Sequence, residues 1–512
     1  MKESKLFERL FVLDLANNHF GNLSFAKKIV RNFANIVRKH KINCTIKFQF
    51  RDLPNFIHKN FHDSNIHYVR RFLDTKMSDR QFKELHNYIK KNKIKTSCTP
   101  FDEESVSKIE SFKFDYIKIA SVSSLDFNLH ERVVKNKIPK IISTGGIDIA
   151  DIDKIVSFYS KKKQSFAIMH CVSAYPSKNE NLNLNFIENL KKRYGNINIG
   201  WSTHEDPKEF LPAALALSKG ASIFEKHIGI NSKKNNLNKY SITPDQFQEW
   251  LINFRKAENM LGRYNKIIYP DEKSTIDKLS RGVYAKENLK KNSTISEKNI
   301  YFAFPAMKGQ LTSQELKKNT TVINNKIKNS PIKKKDVIFD KKLMFEYQVS
   351  SYLHRAKAML NYCNINIGEK FDMELSHHKG ILNFEKIGCF IFNIVNRDYA
   401  KKILVMLPNQ RHPSHFHKKK YETFSVIFGA LNLKDGKKIY KLKQGDTVDL
   451  KKNSYHEFRS GKEGCIFEEI STTSIKSDSF YKSTKINKIS RESRKTFIKN
   501  WFDFPGIKDI NF

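Results

Sequence analysis

No uninterrupted apolar stretch in the sequence approaches the roughly 18 residues of a membrane-spanning helix, so no span is expected. The six cysteines (Cys44, Cys98, Cys171, Cys363, Cys389, Cys465) lie far apart and form no CxxC pair. That pattern suits reduced thiols in a cytosolic enzyme better than a disulfide framework. The N-terminal stretch, Met1 to Asn18, does not read as a signal peptide, because Glu8, Arg9 and Asp14 interrupt its apolar segment. A cytoplasmic location is the expectation. Acidic residues are scarce: Asp+Glu 53 against Lys+Arg 93 leaves a formal charge of +40. Such an excess invites a nucleic-acid-binding reading. The lysines, however, run along the whole chain with Asn, Ile and Phe and form no compact basic block with interleaved aromatics. They read as solvated faces, with neither nucleic acid nor membrane as a partner. No tandem repeat is visible.

What is present is ample core material, 39% hydrophobic and 12% aromatic over 512 residues, enough for about three domains. The first 230 residues alternate β-branched runs with amphipathic stretches. Strands are predicted at 11–16, 45–50, 95–99, 116–121, 140–144, 166–171, 197–204 and 223–228, with helices such as 25–37, 79–90, 152–161 and 184–193 between them. Eight strands separated by helices point to a parallel sheet closed into a (β/α)8 TIM barrel. A last amphipathic helix at 245–261 packs outside it, and a polar stretch, 262–276, follows. Residues 280 to about 337 hold short strands (282–285, 321–323, 337–339). A helical pattern at 342–357 leads into an all-β segment with alternation at 389–395, 403–407, 423–428 and 447–450.

In a closed parallel barrel, chemistry sits at the carboxyl ends of the strands. Asp14, Asn18 and His19, Lys47 and Gln49, Thr99, Lys118 and Ser121, Ser143 and Thr144, His170, Ser202 and His204, Glu225 and His227 all fall at such ends. Strand alternation puts Lys47 with Gln49, Ser202 with His204, and Glu225 with His227 on common faces. Lysines inside apolar runs need an anionic partner, and a substrate phosphate or carboxylate is the natural one. His204 and His227 end adjacent strands, where two imidazoles with Glu225 beside them suit a divalent metal with positions left open for substrate and water.

Leu-Ala-Asn-Asn-His-Phe-Gly (15–21), Lys-Phe-Gln (47–49), Thr-Pro-Phe-Asp (99–102), Ile-Lys-Ile-Ala-Ser (117–121), Ser-Thr-Gly (143–145), His-Cys-Val-Ser-Ala-Tyr-Pro (170–176), Gly-Trp-Ser-Thr-His (200–204) and Glu-Lys-His (225–227) together resemble the sialic acid synthase family, in order and spacing, over about 260 residues. The resemblance implies condensation of phosphoenolpyruvate with an N-acylated hexosamine, typically N-acetylmannosamine, to a nine-carbon 2-keto acid and phosphate. It implies Mn2+ or Mg2+ on His204 and His227, and Glu225 as the acid/base. It implies phosphoenolpyruvate contacts from Lys47, Thr99, Lys118, Ser121, Ser143, Asn183 and Ser202, with Gln49 and Tyr175 among the substrate-binding residues. Asp14 stands where the family carries a longer, sugar-contacting Glu. Ser280-Arg281 and the run 286–292 resemble the opening of the antifreeze-like (SAF) domain of these synthases. The family's SAF domain crosses a homodimer and offers an arginine to the N-acyl group. Here Phe304 holds that position, and a phenyl ring cannot donate to an amide. The acceptor is therefore either a different sugar or one contacted by another residue.

Further on, His415 and His417 share one strand face, Glu422 lies on the next strand, and His456 comes from a different hairpin, so the four can converge inside a small barrel. The spacings 415–429 and 445–456 resemble the two cupin motifs, which implies a transition metal (Mn, Zn or Fe) on these four residues. Phe467-Glu-Glu-Ile-Ser-Thr-Thr, with Asp478-Ser-Phe-Tyr beyond it, resembles sugar-isomerase cupins of the D-lyxose ketol-isomerase type. The expected organisation is a synthase-like barrel over 1–265, a SAF domain over 278–340, a cupin over 345–490 and a tail over 491–512. A nonulosonate synthase is the leading expectation. A sugar isomerase or epimerase working through the cupin, with the barrel in support, is the alternative.

Overall fold

The structure, a computed structural model, describes residues 4–232, 236–264 and 266–501, in two compact units divided between residues 266 and 267. In the first unit, eight parallel strands close into a barrel in sequence order: β1 (Leu10–Asp14), β2 (Asn43–Phe50), β3 (Lys95–Pro100), β4 (Tyr116–Ile119), β5 (Lys140–Ser143), β6 (Phe166–Cys171), β7 (Asn198–Ser202) and β8 (Ile223–His227). All eight expected strands are present, with ends that differ by up to two residues. β1 stops at Asp14 because the carboxylate accepts from the Ala16 backbone N–H at 2.8 Å and Ala16 turns to φ +43. The helices are held by local chemistry. Asn22 caps Leu23–His40 by accepting from Phe25 N, and Lys41 ends it in the left-handed region. Thr243 and Gln246 form a capping box on Pro244–Leu261. The stretch expected to be merely polar after it contains a further helix, Pro270–Lys278.

Alternation along the strands sorts the barrel into layers. Outward residues such as Phe11, Ile46, Phe48, Ile117, Ile168 and Trp201 pack beneath the helices. Inward, Leu10, Val12, Tyr116, Ile141, Met169 and Ile223 close the amino-terminal end with Phe7. One layer up, towards the carboxyl ends, the inward positions turn polar. The apolar floor thus supports a polar mouth.

The second unit holds two small antiparallel ribbons: β9 (Gly282–Ala285) with β10 (Ile300–Ala303), and β11 (Thr321–Val322) with β12 (Val337–Ile338). The helix Lys341–Tyr362 follows and buries Phe345, Val349, Leu353 and Ala356. A ten-stranded antiparallel sheet comes next: β13 (Lys370–Ser376), β14 (Cys389–Asn396), β15 (Tyr399–Met406), β16 (Arg411–Phe416), β17 (Glu422–Asp435), β18 (Lys438–Lys443), β19 (Thr447–Leu450), β20 (His456–Thr472), β21 (Phe480–Tyr481) and β22 (Lys495–Asn500). β20, 17 residues long, pairs with β15, β16 and β17 and so ties the sheet together. Part of the stretch expected as a tail is ordered: β22 pairs with β13, while residues 502–512 lie outside the described residues. Among the described residues no helix is long and apolar enough to cross a membrane.

Candidate active site

The barrel mouth encloses a cavity of about 770 Å³, lined by every strand of the barrel. At its base lies a buried ion cluster. Lys47 Nζ is 2.9 Å from Asp14 Oδ2 and 2.5 Å from Glu225 Oε1, and Lys118 Nζ is 3.3 Å from Glu225 Oε2. Lys118 also donates to Ser143 Oγ at 2.5 Å. Strands β1, β2 and β8 are neighbours, and their register sets Asp14 opposite both Lys47 and His227. The cluster follows directly from strand order.

The electrostatics are those of a site that keeps its carboxylates ionised. Burial alone would raise the Glu225 pKa, but Lys118 and Lys47 outweigh it and hold the carboxyl well below its usual range. Asp14 is lowered as well, with Lys47 and His227 overcoming burial. Burial works against both lysine charges; Asp14 and Glu225 more than restore it at Lys47, whereas Lys118 stays below the ordinary lysine value. Burial also lowers His227, leaving a neutral imidazole at neutral pH.

Above the cluster, the His204 and His227 rings lie 5.3 Å apart between centroids. His204 Nδ1 faces the Val172 carbonyl at 3.1 Å, which puts the proton there and leaves Nε2 as a free donor of electrons. The Tyr175 ring lies 4.2 Å from that of His204, tilted by 52°, and the Tyr240 ring sits 5.2 Å from that of His227. The buried polar atoms without hydrogen-bond partners include Thr99 Oγ1 and His227 Nδ1, both belonging to residues that line this cavity. Two imidazoles with such orphaned neighbours fit a divalent cation. Gly145 N donates to Ser121 Oγ at 3.1 Å, and a Cβ on Gly145 would lie 2.2 Å from Ser173 Oγ, so only glycine lets this backbone come so close.

Of the residues expected here, Asp14, Lys47, Gln49, Thr99, Lys118, Ser121, Ser143, Tyr175, Ser202, His204, Glu225 and His227 all line the cavity. Asn183 does not. It lines a separate groove with Leu184, Glu209 and Leu211, because the chain has left the mouth by the time it reaches the Asn185–Tyr194 helix. Ser173, just past β6, faces the cavity instead. Sequence patterns also missed Arg51, Arg71, Phe101 and Tyr240. Arg51 was within reach, since it continues the Lys47–Gln49 alternation; Arg71 comes from the short helix His67–Asp74 and Tyr240 from a turn, off the strands that carry the signal.

The second unit carries its own cluster. His415, His417 and His456 are buried and offer ligand atoms all within 4.8 Å of one another. The three Nδ1 atoms face the carbonyls of Pro413, Asp478 and Ser454, which leaves each Nε2 unprotonated. Two such atoms, on His415 and His456, stand 3.1 Å apart, a repulsive arrangement unless a cation lies between them. Glu422 completes the set, with its oxygens 3.5 Å from the Nε2 atoms of His417 and His456. These four residues fit a metal ion. Asp478 holds the loop in place by accepting from the backbone N–H groups of Lys418, Lys419 and Lys420. Lys420, which sequence patterns did not single out, bridges Glu422 at 2.5 Å and Glu469 at 2.7 Å.

Comparison with known proteins places the barrel. A family model described as the NeuB family matches residues 38–266. An uncharacterized protein of Methanocaldococcus jannaschii is 31% identical over 324 residues, which covers 63% of this chain and 90% of that protein. The chain belongs to the NeuB family. The mouse N-acetylneuraminate-9-phosphate synthase is 26% identical over 291 residues, 56% of this chain and 80% of its own length. A crystal structure described as a spore coat polysaccharide biosynthesis protein E from Chromobacterium violaceum covers 65% of this chain and all of its own, at 36% identity and TM-score 0.61. For a NeuB family member, the strand-end cluster lies where barrel chemistry is expected.

Proposed function

We propose that the protein is a nonulosonic acid synthase that joins phosphoenolpyruvate to a sugar aldehyde derived from a hexosamine or related hexose, with release of phosphate. The observation that supports this most is the buried Lys47–Glu225–Lys118 cluster beneath His204 and His227, in a barrel of the NeuB family. Water adds to C2 of the enol phosphate, C3 forms the new bond to the aldehyde carbon, and the C2–O bond to phosphate breaks. Lys47, Lys118, Thr99, Ser121, Ser143 and Ser202 hold the anionic donor. A divalent cation on His204 and His227 would polarise the aldehyde. Glu225 is the proton acceptor for the attacking water: Lys47 fixes Oε1, Lys118 lies 3.3 Å from Oε2, and the lysines keep the group ionised. Asp14, tied to Gln49 at 3.1 Å, orients the sugar hydroxyls.

Residues 278–340 and 345–490 are, on the same proposal, a SAF domain that crosses a homodimer and a metal-binding cupin. The imidazole cluster in the second unit also favours a second reading, in which that cavity isomerises or epimerises a sugar by itself. The test is phosphate release from phosphoenolpyruvate against a panel of hexoses and hexosamines, with product mass measured. A product heavier than the sugar by a pyruvate unit is expected. Sugar interconversion without phosphate release would instead favour the second reading.

A further inference from the structure

The two strands that carry the imidazoles are tied to each other, past their last backbone pair, by side chains. The ladder between β7 and β8 ends with Ser202 opposite Glu225. Beyond it, Lys226 Nζ lies 2.7 Å from Glu205 Oε1 and 3.4 Å from Thr203 Oγ1. In sequence, Glu205 follows His204 and Lys226 precedes His227. The ion pair therefore links the immediate neighbour of one imidazole to the immediate neighbour of the other. Backbone bonds hold the two histidines to different loops instead: the His204 carbonyl accepts from Ser177 N at 3.0 Å, and the His227 carbonyl from Ile242 N at 2.8 Å.

Alternation sends Lys226 to the outside of the barrel, since Glu225 and His227 on either side of it line the mouth. Neither Lys226 nor Glu205 lines that cavity, so any effect on the site passes through the histidines. The outward residues that precede them on the two strands, Ile199, Trp201 and Phe224, belong to the apolar core. In that layer Lys226 is 2% exposed and Glu205 is fully buried. A buried ion pair adds little stability over apolar side chains of similar volume, so packing alone gives no reason for one here. What the pair adds is a short, directed bond between two particular atoms. A cation held by two imidazoles depends on such a bond, because a shift of either ring misaligns half of the protein's ligands.

We infer that the Lys226–Glu205 pair is a clamp that fixes the His204 and His227 imidazoles relative to each other, 5.3 Å apart between centroids, and so sets the affinity of the mouth for a divalent cation. Both are positioning residues. The inference rests on the reading of His204 and His227 as cation ligands in the synthase site. Without the clamp, β7 and β8 stay paired as far as Ser202 and Glu225, and each histidine keeps its own backbone anchor. The fold then persists while the two rings lose their common reference. Loss of a group that orients a metal ligand lowers metal affinity by roughly 10- to 100-fold.

The experiment is a Mn2+ titration of the full-length protein, read from the electron paramagnetic resonance of the free ion. It is run in a His415→Ala/His417→Ala background, so that the second cluster does not contribute. Glu205→Gln/Lys226→Met removes both charges of the pair together and strands neither. Its Kd for Mn2+ should rise about tenfold or more over the parent, with the melting temperature held to within about 3 °C. Phosphate release lost at limiting Mn2+ should return in excess Mn2+, with KM for phosphoenolpyruvate changed by no more than about twofold. A Kd within about twofold of the parent would overturn the inference. So would a rise in Kd that comes with loss of the cooperative melt, since the pair would then support the fold rather than the rings. His204→Ala in the same background separates the two readings: Mn2+ binding that it leaves unchanged would overturn His204 as a ligand, and the inference with it.

Discussion

Both cavities set imidazoles beside carboxylates bracketed by lysines, yet they balance their charge differently. In the barrel mouth, Glu225 lies between Lys47 and Lys118, and Arg51 and Arg71 are left over, around a cavity of about 770 Å³. In the second unit, Glu422 and Glu469 share Lys420, Glu469 also holds Lys402 at 3.0 Å, and Glu374 contacts both Arg491 and Lys495, around about 170 Å³. The wider cavity carries cations without a carboxylate at ion-pair distance among the described residues. The narrower one is neutralised by its own chain, and its three converging histidines fit a metal ion. Buried ion pairs add little net stability compared with apolar packing. Their concentration in two cavities therefore marks two sites rather than two cores.

The sharpest way to break this contrast is to remove the imidazoles of one cavity and assay the other. His204→Ala or His227→Ala should lower kcat/KM for phosphate release by at least about 1,000-fold, since loss of a metal ligand forfeits several kcal/mol of charge stabilisation. The melting temperature should hold, because neither ring belongs to the apolar core. The His415→Ala/His417→Ala double variant should lose about one metal ion per chain by elemental analysis, with phosphate release changed by no more than about twofold. Loss of synthase turnover in the double variant would mean that the cavities work as one.

The lysines sharpen the contrast further. Lys420→Met leaves Glu422 with the His417 and His456 imidazoles only, and Glu469 with Lys402 alone, in a site where Glu422 is 4% and Glu469 6% exposed. Breaking a buried pair in this way costs about 3–4 kcal/mol, to be read from a urea melt of the full chain. Lys118→Met leaves Glu225 held by Lys47, so the stability loss should be smaller, while the requirement for phosphoenolpyruvate rises by about tenfold or more. Equal destabilisation by the two changes, with an unaltered phosphoenolpyruvate requirement, would erase the distinction between the two cavities.

The two regions also differ in how much of them the sequence disclosed. Barrel strands have one period and one direction, so Lys47 with Gln49, and Glu225 with His227, fell on common faces before any neighbour was known. The closed strand order then placed Asp14 opposite Lys47. Loops carry no such period. That is why Tyr240 went unnoticed; Arg71 comes from the short helix His67–Asp74, and Asn183 lines a separate groove. In the antiparallel sheet, the histidines were legible from their spacing. Their supports were not: Glu374 meets Lys495 across 121 positions, and Lys420 meets Glu469 across 49, distances over which no local pattern extends.

The smallest predicted effect concerns acceptor choice. Phe304 is 61% exposed on the loop after β10 and offers no hydrogen-bond donor, where the resemblance to sialic acid synthases would put an arginine facing an N-acyl carbonyl. A site that hydrogen-bonds an amide rejects analogues lacking it, because its own polar groups are then left unpaired. With a phenyl ring that penalty disappears, so preference for an N-acetyl group over a matched sugar without one should be weak. Phe304→Arg should shift the ratio of kcat/KM for N-acetylmannosamine over mannose upwards by roughly 1–3 kcal/mol, the scale of one charge-assisted hydrogen bond. A wild-type preference for the N-acetyl sugar that Phe304→Arg leaves unchanged would assign amide recognition to another donor. Arg281, whose guanidinium lies 5.6 Å from the centre of the Phe302 ring, is the nearest arginine in sequence.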